Sequence, residues 1–446
     1  MKPSSFIIAA PTSDSGKSTI TIGLLRALSR QGYRVQPFKC GPDYIDPKLH
    51  KNASGVDSVN LDLFMQSEES VRTLFRSYQA PSDVAVVEGV MGLFDGYDRD
   101  RGSTAHLAEV LDLPIVLVLT PKSMAYSVAP LLYGIKHFRP ELNILGVIFN
   151  KVNSPKHLAY LRDAANDVGV KVLGSIPTDK TLTLPSRHLG LITDDQEALE
   201  AHANQAANLV EAHIDLTQLL ADSQYQPIST ISPIGSNAPK GTKKIAVARD
   251  EAFNFIYTEN IRMLEQFGTI TYFSPTHDSQ LPECDLLYLP GGYPELYAEQ
   301  LSQNSAMIQQ IKTYAERQAP LIAECGGMLY LSKSIITAEG KEYPMVGLFN
   351  HSATMEGARL TIGYRQLELF GVPLKGHEFH YSHLTPTDEG VTNQLNATGE
   401  PVDTLLFQHG KVIATYTHLT FTADFLSRLL EPKISEAERR PFCPSL

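Results

Sequence analysis

The chain has few cysteines, no long apolar run and no excess of positive charge, and each shortage closes off a class of protein. Its four cysteines, Cys40, Cys284, Cys325 and Cys443, include no Cys-x-x-Cys pair. Neither a disulfide scaffold nor a zinc knuckle is therefore expected, and a reducing cytoplasm is the expected compartment. No apolar stretch nears the roughly 20 residues of a membrane span. The opening run MKPSSFIIAAP has too short an apolar part for a signal peptide and fits a first strand better. The formal net charge is −11, which offers no bulk electrostatic grip on nucleic acid or on an anionic membrane. A local basic pocket for a small polyanion stays open. Internal repeats, heptad arrays and biased tails are absent as well.

What is present is the material of a multidomain enzyme. With 446 residues, 43% hydrophobic and 20% charged, the chain has room for about two or three domains, each able to bury a core. Short Val- and Ile-rich runs alternate with helical patterns. In the first half they are FIIAA (6–10), YRVQPFK (33–39), DVAVVEG (83–89), PIVLVLT (114–120), NILGVIFNKV (143–152) and VKVLGSIP (170–177). The second half repeats the alternation with KIAVARD (244–250), TITYFSP (269–275), DLLYLPGG (285–292), PLIAEC (320–325) and KVIATYTH (411–418). The pattern predicts an α/β protein with two doubly wound domains. In the first helix Ile20, Leu24 and Leu28 share a stripe with Leu25 beside it, and Gly32 stands where a C-cap belongs. Residues 221–243 are dense in Ser, Pro, Gly, Asn and Lys without a sustained period, which predicts a linker between domains at 1–220 and 244–435.

Residues 11–18, PTSDSGKS, follow the first strand and precede an amphipathic helix, the place of a phosphate-cradling loop. Lys17 would neutralise phosphate oxygens and Ser18 would offer its hydroxyl to Mg²⁺. The backbone N–H groups of Ser13, Asp14, Ser15, Gly16, Lys17 and Ser18, with Thr19 beside them, would donate to phosphate. Pro11 replaces the first glycine of the usual loop and cannot donate, so the entrance is atypical. Two acidic clusters could complete a metal site: Asp43 and Asp46 in FKCGPDYID (38–46), and Glu88 at the carboxyl end of a strand. The plainer alternative for Asp43 and Asp46 is turn capping.

Cys325 lies in PLIAECGGMLYL, an apolar strand running into a thiol, two glycines and a helical stretch. That is the pattern of a nucleophile elbow, with backbone N–H groups placed for an oxyanion. A thiol needs a base, and a paired imidazole can lower its pKa. The candidates are His351, His377, His380, His383, His409 and His418; His418, ending an apolar strand, fits best, with His377 and His380 as rivals. An acid two residues after His418 is absent, for Thr420 stands there. The loop PGGYPE (290–295) could add a donor from Gly292 to that of Gly326 in the oxyanion hole. Cys40, Cys284 and Cys443 lack an elbow context and are expected to be inert.

The motifs FKCGPDYIDP, VVEGVMGLFDG, LPGGYPE, AECGGMLYL, LTIGYR and KGHEFHYS, in this order, resemble those of the cobyrinic acid a,c-diamide synthases, glutamine-dependent amidotransferases of cobalamin synthesis. The resemblance spans roughly residues 5–425. It implies an N-terminal P-loop domain similar to dethiobiotin synthetase and a C-terminal class I glutamine amidotransferase-like domain of the Cys-His type. By motif, Cys325 matches the nucleophile and His418 its histidine. Asp43, Asp46 and Glu88 match acids around Mg-ATP and the activated carboxylate, and Asn150 in FNKV resembles an adenine-reading asparagine.

The resemblance implies Mg²⁺ as cofactor, ATP and L-glutamine as substrates, and a corrinoid polycarboxylate as partner, with homodimerisation left open. It implies ATP-dependent amidation of the a and c acetates of cobyrinic acid through an acyl phosphate. Phe253, Phe255 and Tyr257 are a candidate apolar wall for the macrocycle, and equally candidates for core. Other readings stand beside this one: amidation of hydrogenobyrinate or nickel sirohydrochlorin, amidation of the remaining corrin carboxylates, and an ATPase switch carrying a degenerate glutamine sensor. Thr12 and Ser13 stand where that switch group carries an extra lysine, which disfavours the last.

Overall fold

The computed structural model describes residues 3–179, 182, 196–225, 241–387 and 389–431. The chain divides into two compact units, Met1–Ala238 with Tyr257–Glu259, and Pro239–Ile256 with Asn260–Leu446. Most of the segment read as a linker, 226–240, lies outside the described residues, as do Cys443 and the end of the second predicted domain beyond 431. Residues 221–225 belong to the first unit: helix Leu216–Asp222 runs into them and Tyr225 N donates to Pro3 O. No helix among the described residues is long and apolar enough to cross a membrane.

The first unit is built on seven strands, β1 (Ser4–Ala9), β2 (Val35–Cys40), β3 (Val59–Leu61), β4 (Val84–Glu88), β5 (Ile115–Leu119), β6 (Ile144–Asn150) and β7 (Val172–Ile176). They form one sheet in the order β3-β2-β4-β1-β5-β6-β7. Every pairing is parallel. Helices cover both faces, which is why the strands are apolar along their length rather than alternating. In β1, Ile7 and Ala9 join a core with Phe75 and Leu107, while Phe6 and Ile8 join another with Leu24 and Val210. Each fully buried side chain of this size contributes about 1.5–3 kcal/mol. Helix α1 (Lys17–Arg30) buries Ile20, Leu24, Leu25 and Leu28, and Gly32 takes φ 85° just beyond its end, a left-handed turn that glycine adopts without Cβ strain. The carboxyl ends of β1, β2 and β4 meet where the strand order reverses, the crevice in which open α/β sheets bind ligands.

The second unit has a six-stranded sheet in the order Leu406–His409, Val412–Thr415, β11 (Leu321–Glu324), β10 (Leu286–Leu289), β8 (Lys243–Ala248) and β9 (Gly268–Phe273). Only the edge strand Leu406–His409 runs antiparallel. Leu287 and Leu289 face one core, Leu286 and Tyr288 the other.

Beyond the doubly wound plan lie two sheets of short strands that the sequence pattern does not predict. The larger contains a nine-pair hairpin, Thr361–Leu369 with Val372–His380, closed by Phe370 and Gly371 with φ of 54° and 75°. Two positive φ values in a two-residue loop match the twist of the strands it joins. The run KVIATYTH is not one strand. It leaves the main sheet at Thr415, and His418–Leu419 pairs with the hairpin instead, His377 opposite His418 and Gly376 opposite Leu419. Gly376 permits that approach, for a Cβ there would lie 2.2 Å from His418 O. Phe253 is fully buried against Tyr330, and Phe255 and Tyr257 are buried too, so these rings are core and not a broad exposed wall.

Candidate active sites

In the first unit the loop between β1 and α1 braces itself. Ser15 Oγ donates to Thr12 O at 2.9 Å, and Asn150 Nδ2 donates to Ser15 O at 3.0 Å. Gly16, at φ 88°, caps α1 with its α-carbon against Asn150, whose Nδ2 would be 2.2 Å from an added Cβ. Only glycine fits that position. The first N–H groups of α1 then point out of the helix start, where an anion is favoured. Lys17 Nζ folds back to Met91 O at 2.6 Å, and burial and then Lys39 pull its pKa down. Ser13 and Asp14 are exposed on the loop, and Thr19 joins Gly16, Asn150 and Lys151 in lining a cavity of about 140 Å³. Asn150 also accepts from Lys151 N at 3.0 Å. One donor and one acceptor of its amide remain for a ligand, so bracing the loop does not preclude contact with a base.

Ser18 Oγ donates to Glu88 Oε1 at 2.6 Å. Glu88 is the register partner of Lys39 on the adjacent strand, and Lys39 Nζ lies 3.2 Å from Glu88 Oε1, 2.5 Å from Asp46 Oδ2 and 3.7 Å from Asp43 Oδ2. On the other side His50 Nε2 is 2.7 Å from Glu88 Oε2, with His50 Nδ1 3.0 Å from Ser58 Oγ. Burial pushes Glu88 up, but Lys39, His50 and Ser18 outweigh it and hold the carboxyl well below its usual range. Burial likewise opposes the charge on Lys39, and Asp46, Glu88 and Asp43 overcome it, so the lysine stays charged.

Asp43 caps a turn and also faces a cation. Its Oδ1 accepts from the backbone N–H groups of Ile45 and Asp46 at 2.7 and 3.1 Å, a turn cap, while the carboxylate faces Lys39. Among the described residues no three His, Cys, Asp or Glu converge on a metal position by themselves. Ser18 and Glu88 still present two adjoining oxygens, a donor set suited to Mg²⁺, which takes its other ligands from phosphate and water. Lys39 and His50 are absent from the sequence reading. A lysine inside an otherwise apolar strand is the signal that could have revealed the first.

In the second unit Cys325 follows β11 directly and caps the helix Gly326–Leu331 with φ 45° and ψ −107°, outside the ordinary regions for a non-glycine residue. Such strain marks an elbow and lifts the thiol out of the sheet. Cys325 N donates to Thr415 O at 2.8 Å, tying the elbow to the segment that ends in His418. Gly291 lies against the imidazole: a Cβ there would be 2.2 Å from His418 Cε1. The next residue, Gly292, meets Gly326, whose added Cβ would be 3.0 Å from Gly292 N. The two expected oxyanion donors are thus neighbours, and neither position has room for a side chain.

Burial, followed by the field of Glu295, pushes the Cys325 thiol up, and burial with His377 and His380 nearby takes His418 down to about 3. Burial thus favours the neutral thiol and the neutral imidazole, whereas a paired imidazole alone would favour the thiolate. Cys40 and Cys284 are also raised by burial, Cys40 to about 12. Backbone geometry, not acidity, sets Cys325 apart.

His377 opposes His418 across the strand pair, and His380 is bound between Glu378 and Ser382 O, each at 2.7 Å. His351 is buried on Phe349 and Phe407 and pushed down to about 4 by that burial, while His383 and His409 are exposed. Glu324, the residue before the nucleophile, approaches His418 Nδ1 to 4.0 Å. That is too long for a hydrogen bond. Burial raises Glu324 to about 8, so at neutral pH it is protonated and supplies no charge to the imidazole.

The chain matches the model of the CobQ/CobB/MinD/ParA nucleotide binding domain over residues 6–192 and that of the CobB/CobQ-like glutamine amidotransferase domain over 244–425. It is 42% identical to the hydrogenobyrinate a,c-diamide synthase of Brucella abortus, over 93% of this chain and 98% of that one. It is 39% identical to the cobyrinate a,c-diamide synthase of Caldanaerobacter subterraneus, over 93% and 94% of the two chains. The cobyrinate a,c-diamide synthase of Picrophilus torridus is also 39% identical, with 95% and 97% covered.

Proposed function

Since the chain belongs to the family of cobyrinate and hydrogenobyrinate a,c-diamide synthases, we propose that it amidates the a and c acetate carboxylates of a corrin with ammonia drawn from glutamine. It is an ATP-dependent, glutamine-using amide ligase. The observation that carries the amidation is the pairing in one chain of a phosphate loop backed by Lys39, Asp46 and Glu88 with a strained thiol elbow tied to the segment that ends in His418, and the relatives' substrates support a corrin as the acid.

Each site supplies what the other lacks. A carboxylate has no usable leaving group, so one oxygen attacks the γ-phosphorus of ATP, giving an acyl phosphate and ADP. Lys17 and the N–H groups from Ser13 to Thr19 hold the phosphates, and Lys39, held by Asp43 and Asp46, faces the carboxylate being activated. Ser18 and Glu88, with Asp46 close by, would hold Mg²⁺, which when bound would neutralise charge on the transferring group. Asn150 borders the nucleoside. In the second unit Cys325 adds to the amide carbon of glutamine as His418 takes the thiol proton, and Gly292 and Gly326 donate to the oxyanion. His418 returns the proton to the departing ammonia, and water releases glutamate from the thioester. Ammonia then displaces phosphate from the acyl phosphate.

The test is the purified protein with Mg²⁺, ATP, glutamine and either cobyrinate or hydrogenobyrinate. The expected outcome is two new amides per corrin and one ATP cleaved for each. Amides without ATP cleavage, or none on either corrin, would overturn the proposal.

A further inference from the structure

After burial, the carboxylates that raise the Cys325 thiol are those of Glu295, Glu378 and Glu324. Two of them are satisfied. Glu378 Oε2 takes Arg365 Nε at 2.5 Å and Thr404 Oγ1 at 2.7 Å, and its Oε1 faces His380. Glu324 accepts from Tyr288 at 2.7 Å and from Leu419 N at 2.9 Å. Among the described residues Glu295 has no comparable partner. Its Oε2 is sealed from solvent and takes no hydrogen bond, and its own backbone N–H is the one group that opposes a burial raising it to about 7. Near neutral pH this is a half-ionised carboxylate with no cation paired to it among the described residues. A buried acceptor left bare is costly, and one that persists calls for an explanation.

Its location provides one. Glu295 sits in the 3₁₀ turn Pro294–Leu296, which packs on Gly326–Leu331, the helix that begins after Cys325. Pro294 Cδ would lie 2.7 Å from a Cβ on Gly326, beside Gly292 N. The carboxylate therefore shares a loop with an oxyanion donor, and its field reaches both Cys325 and the buried phenol of Tyr416. Glutamine carries one cation, an α-ammonium group separated from the reacting amide carbon only by a short side chain.

We propose that Glu295 binds the α-ammonium group of glutamine, selecting it over amides that lack the amine. The inference rests on the glutaminase reading above. Seating the substrate also neutralises the carboxylate that opposes thiolate formation, so Cys325 ionises more readily with glutamine present than without it.

The probe is glutaramate, glutamine without its amine. Wild-type protein is expected to prefer glutamine over glutaramate by roughly 10²-fold or more in kcat/KM, the scale of a desolvated charge pair. Glu295→Gln removes the charge and keeps the shape; the preference should fall to within about threefold, chiefly through KM for glutamine, while Glu295→Asp retains most of it. Ammonium-supported amide synthesis should be unchanged in both variants. A Glu295→Gln protein that still prefers glutamine as wild type does would overturn the proposal, and so would wild-type protein that hydrolyses both amides equally well. Wild-type protein that hydrolyses neither, yet makes amides from ammonium, would instead defeat the glutaminase reading itself.

Discussion

The two candidate sites treat buried charge in opposite ways. Around Glu88 a central ion pair is kept and answered: Lys39 stands among three carboxylates and holds Glu88 ionised, Ser18 and His50 complete Glu88, and only the Asp46 carboxyl is pushed up, by burial and by Asp43 and Glu88 beside it. Around Cys325 burial neutralises nearly everything, taking the thiol and Glu324 up and His418 down. The difference follows from the chemistry. Phosphoryl transfer begins with a polyanion already charged, so a site that is ionised in advance loses nothing to reorganisation. A thiolate maintained in an empty site would be open to stray alkylation and oxidation. The second site keeps its charges in reserve until a substrate arrives.

The sharpest way to break this comparison is to remove one site and ask whether the other works. Cys325→Ser should lower glutamine-dependent amidation by about 10³-fold or more and leave ammonium-dependent amidation intact. Lys17→Ala should lower both by roughly 10²-fold or more, since either nitrogen source needs the activated carboxylate. Equal loss of both nitrogen sources in a folded Cys325→Ser protein would contradict the division of labour.

Charge in the first site can be tested by stability. Lys39→Met leaves Asp46 and Glu88 buried without their cation, so denaturant melts should show a loss of about 3–5 kcal/mol. A loss below about 1 kcal/mol would mean that the cluster is not held by that lysine. In the second site the equivalent change is steric. Gly291→Ala pushes a methyl group into His418, and glutamine hydrolysis should fall roughly tenfold to 10²-fold with ammonium-dependent synthesis retained.

The smallest effect is in pH dependence. Glu324 is raised to about 8, so it ionises as pH passes that value and then favours the imidazolium that His418 becomes. Glutamine hydrolysis in wild type should rise severalfold through pH 8, and Glu324→Gln should flatten that rise. The linked stability has a definite sign. Between about 4.5 and 8 the unfolded chain has released this proton and the native protein has kept it, so wild-type stability falls as pH rises across that window. The melting temperature of Glu324→Gln should therefore gain on wild type from pH 5 to pH 8.

The sequence made the parallel strands and both loops legible for a physical reason. Strands buried on both faces are continuous apolar runs, as in IVLVL, and a phosphate loop or an elbow must sit at a fixed place between strand and helix. Less legible was whatever depended on contacts between distant segments. The run KVIATYTH divides because Gly376, 42 residues before His418, lets a second strand come close. Lys39 resembles strand interior until Glu88 appears beside it on another strand. Phe253 and Phe255 follow a period of two that suits a wall and a core alike, and burial decided for core.

The resting neutrality of the thiol is the claim on which the contrast depends. The direct measurement is the pH–rate profile of Cys325 alkylation by iodoacetamide in the absence of glutamine, followed on its own peptide. The account predicts slow reaction at pH 7 and a rate still climbing well above the ordinary thiol pKa of about 8.5. A plateau already reached at pH 7 would mean a thiolate standing ready in the empty site, and would contradict it.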